Sequence, residues 1–336
     1  MTIRSRSAAA LAGLAATALA LTACSTGEQA GPGAGDKIKV VASTTVWASV
    51  VQAVGGDAVE VEPVISDPNA DPHSYESTPQ DAAKVTDADL VVFNGGGYDE
   101  FMERILGNSG QGKPTVEAVK DEHEGEPASG HEEHGEPASG HEGEPAGGHE
   151  EHGGHEGHDH SVNEHVWYDL HVVEQVAAQV NAELSKLKPA KAEQFGQAAG
   201  RFAEEIGKLQ GRVGELADQN KGKQVIVTEP VAHYLIEAAN LQDITPPEFV
   251  NAIEAETDPS AAAVAAIQNA VNAKQAAAVI YNPQTESPVT RNVRTAAEQN
   301  QIPVVEMTET LPQDKTYVQW MDAQITALQT ALNQNR

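Results

Sequence analysis

The sequence predicts an α/β protein with two lobes, each containing a four-stranded parallel sheet, joined by one long connecting helix. Short runs rich in valine and isoleucine alternate with helical segments in two blocks, and a stretch of purely helical periodicity separates the blocks. Strands that alternate with helices favour a parallel sheet covered on both faces. With 336 residues, 40% of them hydrophobic, the chain can bury two such cores. The predicted ranges are 37–168 for the N-terminal lobe, 169–221 for the helical connection and 222–336 for the C-terminal lobe.

The N-terminal lobe begins at Lys37 and alternates strands with helices. Its predicted strands are IKVVAS, AVEVEPVI, DLVVFNGGG and TVEAV, and its helices are TVWASVVQAVGG, TPQDAAKVTDA and YDEFMERIL. The first helix is expected to stop at Gly55 and Gly56. The second is expected to have Thr78 as its N-cap and Pro79 at its first position, because a Thr side chain caps a helix and Pro fits its first turn.

The long helix follows Pro189, and the second block of strands follows the helix. Apolar residues recur at steps of four and three and form one stripe: Phe195, Ala199, Phe202, Ile206, Leu209, Val213 and Leu216. Five glycines between Gly196 and Gly214 lower its intrinsic helical stability, so the helix must depend on tertiary packing. The C-terminal lobe is predicted to contain the strands KQVIVT, QDIT, AAAVIYN and IPVVEM and the helices HYLIEAANL, DPSAAAVAAIQNAVNAK, SPVTRNVRTAAEQN and KTYVQWMDAQITALQTALN.

The first 36 residues are predicted to lie outside the fold. Arg4 and Arg6 precede the apolar run AAALAGLAATALAL, which is too short for a mature membrane-spanning helix. LTAC then resembles a bacterial lipobox, which predicts a signal peptide over 1–23, a lipid anchor on Cys24 and a flexible tether over 24–36. The alternative is an ordinary secretory signal with an incidental cysteine. Cys24 is the only cysteine, which excludes an intrachain disulfide and a four-cysteine zinc site.

The segment 121–161, called the insert below, is predicted to be a disordered loop within the N-terminal lobe. It repeats GEPASGHE and GEPAGGHE, contains no large apolar side chain, and holds nine of the chain's 13 histidines. Imidazole-rich tracts bind divalent metals, so the insert is predicted to be a low-affinity metal collector through His131, His134, His141, His149, His152, His155, His158 and His160. The alternative is a solvated loop without a role.

The charge of the chain favours a cationic ligand. The net charge of −29 makes nucleic acid and anionic membrane surfaces poor partners. Folds of this class bind ligands at the carboxyl ends of their strands, which for two lobes means the cleft between them. His73 and His165 stand in loops of the first lobe that lead into helices, and Glu229, Glu306 and Glu309 follow strands of the second. A buried carboxylate needs a partner, and a cation in the cleft would satisfy both lobes.

The chain resembles the substrate-binding lipoproteins of zinc/manganese-type ABC importers, in particular the zinc-type members with a His-rich loop. The resemblance rests on DPHSYESTPQD, ADLVVFNGGGYDEF, NEHVWYDL, TEPVAHYLIEAANL and TETLP in this order, and it runs from Lys37 to the C-terminus. It implies a metal between two four-stranded lobes, bound by His73, His165, Glu229 and Glu309. Glu164 stands where the family's motif has proline.

Several neighbouring residues leave the ligand set open. Glu309 replaces the usual aspartate, and Glu229 occupies a position that is His or Glu in different members, so His233 and Glu306 remain alternatives for the third and fourth ligands. His171 is expected on a helix surface, and three aromatic residues are expected to pack around the cleft and not to bind metal: Tyr75, Trp167 and Tyr168.

The resemblance implies a binding protein and not an enzyme. The chain is expected to be an extracytoplasmic, lipid-anchored monomer that captures Zn²⁺ and delivers it to an ABC permease and, through it, to the ATPase. Imidazole with carboxylate also suits Mn²⁺ or Fe²⁺, which stay open as alternatives. A surface metal-buffering or adhesive lipoprotein is a further alternative. A zinc hydrolase is disfavoured, because no HExxH motif is present and four protein ligands leave no open position.

Overall fold

Two parallel four-stranded sheets form the framework of the protein. The computed structural model describes residues 37–110, 112–120, 163–255 and 257–334. The first sheet has the order β2-β1-β3-β4, with the strands β1 (Ile38–Thr44), β2 (Val59–Ile65), β3 (Leu90–Gly95) and β4 (Thr115–Val119). The second has the order β6-β5-β7-β8, with the strands β5 (Gln224–Val227), β6 (Gln242–Asp243), β7 (Ala278–Tyr281) and β8 (Val304–Glu306). The predicted fold class is confirmed.

The first two helices of the first lobe begin and end close to where the local sequence predicts, whereas the third begins two residues and ends three residues later than the predicted 98–106. The lobe contains α1 (Thr45–Gly55), α2 (Pro79–Asp87) and α3 (Glu100–Ser109). The α1 helix is followed by Gly56, whose φ of 54° is readily adopted only by glycine. Thr78 caps α2 by a reciprocal capping box with Asp81. The consecutive buried residues of β1 and β3 reflect a sheet covered on both faces.

One long helix connects the lobes, and a second helix packs along it on the side of the first lobe. The second helix is α4 (Leu170–Leu187), and the connecting helix is α5 (Ala192–Asn220). Both also pack against α1, and α5 contacts the last helix of the chain. The apolar stripe of α5 is buried except at Ala199, which is half-buried, as expected for a helix held by packing. At 29 residues, α5 is about 44 Å long.

The second lobe contains one helix that the sequence analysis omitted. Its helices are α6 (His233–Ala238), α7 (Pro247–Glu254), α8 (Ala261–Asn272), α9 (Pro288–Gln299) and α10 (Tyr317–Gln334). The omitted helix is α7, which has Pro247 at its first position and buries Phe249. The Pro246–Pro247 pair at its start is typical of a turn, and the helix is only eight residues long. It carries Glu254, which lies beside the candidate site.

One hydrophobic core runs through both lobes and the helices between them. It includes residues of β1 and α1, the buried faces of α4 and α5, and residues of β5, β7 and α10. Two smaller clusters cover the opposite faces of the two sheets. Among the described residues, no helix combines the length and apolar character needed to cross a bilayer. The predicted signal peptide, Cys24, the tether and the histidines of the insert lie outside the described residues.

Candidate metal centre

Four side chains from four separate segments meet where the two lobes face each other. His73 follows β2, His165 precedes a short 3-10 turn (Val166–Tyr168), Glu229 follows β5 and Glu309 follows β8. Each offers one ligand atom, and these atoms all lie within 4.8 Å of one another. Small side-chain movements would bring atoms this close to coordination distance from a single ion. The structure thus brings together the two histidines and two glutamates that the resemblance implied.

His165 is fixed in the orientation and tautomer that a metal ligand needs. Its ring is fully buried, and its Nδ1 lies 3.0 Å from the Asn163 side-chain oxygen, which also accepts the His165 backbone N–H at 2.8 Å. Because that oxygen only accepts, Nδ1 carries the proton and Nε2 keeps its lone pair. Nε2 is buried and has no hydrogen-bond partner among the described residues. A metal ion would satisfy it.

His73 stands at the solvent side of the centre. Its backbone N–H donates to Asp71 at 2.9 Å, which fixes the loop, and its side chain is 21% exposed. The ring packs edge-on against Tyr98, with ring centroids 5.0 Å apart. Its Nε2 lies 3.6 Å from Glu309 Oε2 and is buried without a hydrogen-bond partner among the residues described. Both histidines therefore direct an unpartnered Nε2 into the same small volume.

The two carboxylates are held by neutral donors. Asn282, just after β7, donates its amide N–H groups to Glu229 Oε2 at 2.7 Å and to Glu309 Oε1 at 2.8 Å. Thr285 donates to the same Glu229 oxygen, and Tyr98 donates to Glu309 Oε2 at 3.1 Å. These contacts orient the carboxylates but add no positive charge. A bound cation would therefore be the partner that balances the charge of the two carboxylates.

Burial determines the electrostatics of the centre. It raises the pKa of Glu309 well above its usual range, and the nearby carboxylates of Glu229 and Asp71 add to the rise. Burial also raises the pKa of Glu229, although hydrogen bonds from Thr285 and Asn282 oppose that shift. The pKa of His165 is held well below its usual value, first by burial and then by the neighbouring His73. A divalent cation would neutralise two ionised glutamates and bind neutral imidazoles.

The alternative ligands lie outside this cluster. His233 is the first residue of α6, has a side chain 53% exposed, and lies near Glu237. Glu306 is exposed and pairs with Arg294 at 3.4 Å. His171 is exposed on α4, in keeping with its expected surface position. None of the three belongs to the group of ligand atoms that includes Glu229 and Glu309.

Aromatic side chains support the centre without entering it. Trp167 packs against His165 with ring centroids 5.2 Å apart, and the Tyr168 hydroxyl donates to the Thr308 backbone oxygen at 3.0 Å. The Tyr75 hydroxyl donates to Asp81 at 3.0 Å. Sequence reasoning did not name Tyr98, which follows the turn of Gly95 to Gly97, three glycines with positive φ. It also missed Asn163, Asn282 and Thr285.

The four side chains together offer a single ion four protein ligand atoms. Two imidazole nitrogens and two carboxylate oxygens would supply all four ligands of a four-coordinate ion, whereas catalytic zinc sites keep one position for water. Because the ligands come from both lobes, binding one ion would also link the lobes.

Comparison with known proteins assigns the chain to one family. A sequence profile described as zinc-uptake complex component A, periplasmic, matches residues 40–331. The chain belongs to the ZnuA family. The match covers both lobes and all four segments of the centre.

Individual relatives share only modest sequence identity with this chain. The zinc-binding lipoprotein AdcA of Streptococcus pneumoniae is 25% identical over 326 residues, which cover 94% of this chain and 59% of AdcA. The chain thus spans little more than half of that relative. The manganese ABC transporter substrate-binding lipoprotein PsaA of Streptococcus anginosus is 35% identical over 77 residues, 23% of this chain and 24% of PsaA. The structure of the periplasmic zinc-binding protein TroA from Treponema pallidum matches with a TM-score of 0.63 at 18% identity, over 88% of this chain and 99% of TroA.

Proposed function

We propose that this chain is the extracytoplasmic zinc-binding component of an ABC transporter, which captures Zn²⁺ and delivers it to a membrane permease for import. The observation that carries the proposal is the convergence of His73, His165, Glu229 and Glu309 from both lobes, with ligand atoms within 4.8 Å of one another. Membership of the ZnuA family and the similarity to AdcA support it. The permease and its ATPase are the proposed partners, and the chain acts as a monomer.

Zinc is the proposed cargo on chemical grounds. Two carboxylates and two neutral imidazoles form a neutral complex with any divalent cation, but nitrogen and oxygen ligands bind Zn²⁺ more tightly than Fe²⁺ or Mn²⁺. The similarity of 77 residues to the manganese protein PsaA supports Mn²⁺ as the second candidate. Competition between the two ions for the purified protein distinguishes them, because a zinc protein retains Zn²⁺ in a large excess of Mn²⁺.

A transport role differs from catalysis in what the centre does with its ion. Four protein ligands saturate the coordination of zinc, so we propose that the protein holds the ion without chemistry and is not an enzyme. Release then requires the two lobes, or the loops that carry the ligands, to separate.

The ligand assignment is tested by substitution and competition with a chelator. We expect His165→Ala and Glu229→Gln to lower zinc affinity at least about 100-fold, because outer partners of metal ligands alone contribute 10–100-fold. His171→Ala, which removes an exposed histidine of α4, is the matched control and should retain the affinity. Tight binding by His165→Ala would exclude this centre. Normal zinc uptake by cells that lack the protein would favour a buffering or adhesive role.

The anchor is a separate proposal. We propose that Cys24 is acylated and holds the protein to the outer face of the cell membrane through the tether, in line with the word lipoprotein in the names of AdcA and PsaA. Cys24→Ala should move the protein from the membrane fraction to the soluble fraction. A variant that still sediments with membranes in high salt would contradict the anchor.

A further inference from the structure

A second group of possible ligands lies beside the metal centre on its solvent side. His73, Glu164 and Glu254 each offer one ligand atom, and these atoms lie within 4.8 Å of one another. Glu164 comes from the N-terminal lobe, directly before His165, and Glu254 is the last residue of α7 in the C-terminal lobe. Glu164 stands where the motif of the resembled family has proline.

His73 faces both groups through opposite ring nitrogens. Its Nε2 lies 3.6 Å from Glu309 Oε2, and its Nδ1 lies 4.0 Å from Glu164 Oε1. A neutral imidazole has one lone pair and one N–H, so it can bind an ion through only one nitrogen at a time. When Nε2 binds an ion in the inner centre, the Nδ1–H points towards Glu164. When Nδ1 binds an ion, the Nε2–H points towards Glu309.

Glu254 occupies a position that is unfavourable without a cation. Both of its carboxylate oxygens are buried, and neither has a hydrogen-bond partner among the described residues. It ends α7, where the helix dipole disfavours a negative charge. A bound cation removes these costs together.

A cavity gives solvent access to this position. It has a volume of about 320 Å³, and its lining includes Glu254 together with Asp71, His73 and Glu229. The cavity therefore touches one residue of the outer group, one of the inner centre and the histidine that the two share. Its acidic lining also concentrates cations at the opening.

We propose that His73, Glu164 and Glu254 form a second, outer metal position, which a divalent cation occupies in passing between the cavity and the inner centre. This inference rests on the proposed function. The outer position has three protein ligands and adjoins the cavity, so it binds the ion more weakly than the inner centre with its four ligands. The ion moves inward when His73 exchanges Nδ1 for Nε2 as the ligand atom. In this exchange Nε2 gives its proton to water and Nδ1 takes one from water, so no net proton is gained or lost. Asp71 and Glu229 keep the path acidic.

Anomalous diffraction from zinc-soaked crystals of the full chain tests the outer position. In His165→Ala the inner centre lacks a ligand, and we expect zinc density between Glu164 and Glu254. The double variant with Glu254→Gln should lose that density. The double variant with Glu248→Gln should keep it, because Glu248 is exposed in the first turn of the same helix. Absence of density in His165→Ala, or density that survives Glu254→Gln, would overturn the proposal.

Loading kinetics of the protein without the His165 substitution provide a second measurement. Trp167 packs against His165 and reports occupancy of the inner centre by its fluorescence. We expect Glu254→Gln to slow zinc loading about tenfold, since acidic clefts raise cation association rates 10-fold or more. Glu248→Gln should load at the unchanged rate. Equal rates for all three proteins would also overturn the outer position. Zinc absent from the inner centre of the unsubstituted protein would instead overturn the proposed function.

Discussion

At the scale of single residues, Asn282 connects the two acidic ligands of the centre. One side-chain amide donates to both Glu229 and Glu309. Such outer contacts orient metal ligands, and their loss costs 10–100-fold in affinity. We expect Asn282→Ala to lower zinc affinity by about that factor, measured by competition with a chelator. Asn292→Ala, at an exposed position of α9, is the matched control. Unchanged affinity in Asn282→Ala would show that the carboxylates are positioned by other contacts.

The raised pKa values of Glu309 and Glu229 predict that zinc binding releases protons. A proton on either carboxyl competes with the ion, so lower pH weakens binding and higher pH strengthens it until both groups are ionised. His165, whose pKa is lowered, stays neutral and adds nothing to the release.

Calorimetry of zinc binding in buffers of different ionisation enthalpy measures the released protons directly. The insert contributes little above about pH 7.5, because imidazoles with an ordinary pKa near 6.5 are already neutral there. We expect net proton release there, with an affinity that rises with pH until both carboxyl groups are ionised. A pH-independent affinity in that range would mean that both carboxylates are ionised before the ion arrives.

The residues of the centre were predictable to different degrees. Glu229 and Glu309 were found because charged side chains at strand ends need a partner, and the resemblance then selected them over His233 and Glu306. Asn282 also follows a strand end, but a neutral amide gives no sign in the sequence that it contacts two carboxylates. The role of Glu254 depends on α7, which the sequence analysis omitted.

At the scale of elements, α5 is a long helix whose exposed glycines lower its stability. Its glycines at 196, 200, 207, 211 and 214 are exposed, and a Cβ added at any of them meets nothing within 4 Å. Glycine in a helix interior costs about 0.5–1 kcal/mol relative to alanine. We therefore expect Gly207→Ala to raise the free energy of unfolding by about that amount, measured by urea denaturation of the zinc-free protein.

Gly95→Ala is the contrasting substitution for this measurement. Gly95 has a φ of 75°, and its added Cβ would lie 2.5 Å from the Val119 backbone oxygen. We expect it to lower stability, because both the backbone and the neighbouring strand would have to shift. If Gly207→Ala also lowered stability, a requirement for glycine in α5 would have to come from something other than packing.

The periodicity of apolar residues in the sequence was sufficient to predict the helices and strands in which that period is strong. The stripe of α5 and the strands buried on both faces were readable from the sequence, since burial requires apolar side chains at regular steps. The α7 helix is short, begins at a Pro–Pro pair and buries Phe249, so its pattern contains too few apolar positions to reveal a period.

At the scale of the whole molecule, the insert and the inner centre should bind zinc independently. The insert joins β4 to the segment that carries His165, but it contains no large apolar residue that could contribute to a core. We expect excision of residues 122–160 to keep the tight site and remove weaker zinc equivalents, because loop length alone changes stability slightly. Calorimetry of the full-length and the excised protein measures how many zinc ions each one binds. If both proteins bound the same number of zinc ions, the insert would not be a metal collector. Loss of the tight site on excision would show that the insert supports the inner centre.

The two lobes are joined over more than the metal centre. Tyr317, at the start of α10, donates from its backbone to Ser49 at 2.9 Å and from its hydroxyl to the Trp167 backbone oxygen at 2.7 Å. Gln284 donates to the backbone oxygen of Ala70 at 2.8 Å. The shared core passes through α4 and α5 below these contacts. Wide hinge opening would break this core, whereas small movements of the ligand loops would not.

We therefore expect zinc binding to change the separation of the lobes by less than about 2 Å. Movements larger than this are typical of loop or domain rearrangements. Spin labels at Ala83→Cys on α2 and Thr295→Cys on α9, both exposed, measure this distance by pulsed electron resonance. Cys24→Ala is needed as the background, since Cys24 would otherwise be labelled. A pair placed within the first lobe, Ala83→Cys with Asp57→Cys, controls for label motion. A shift of many ångströms confined to the pair across the lobes would show that the shared core is not rigid, and that release proceeds by hinge opening.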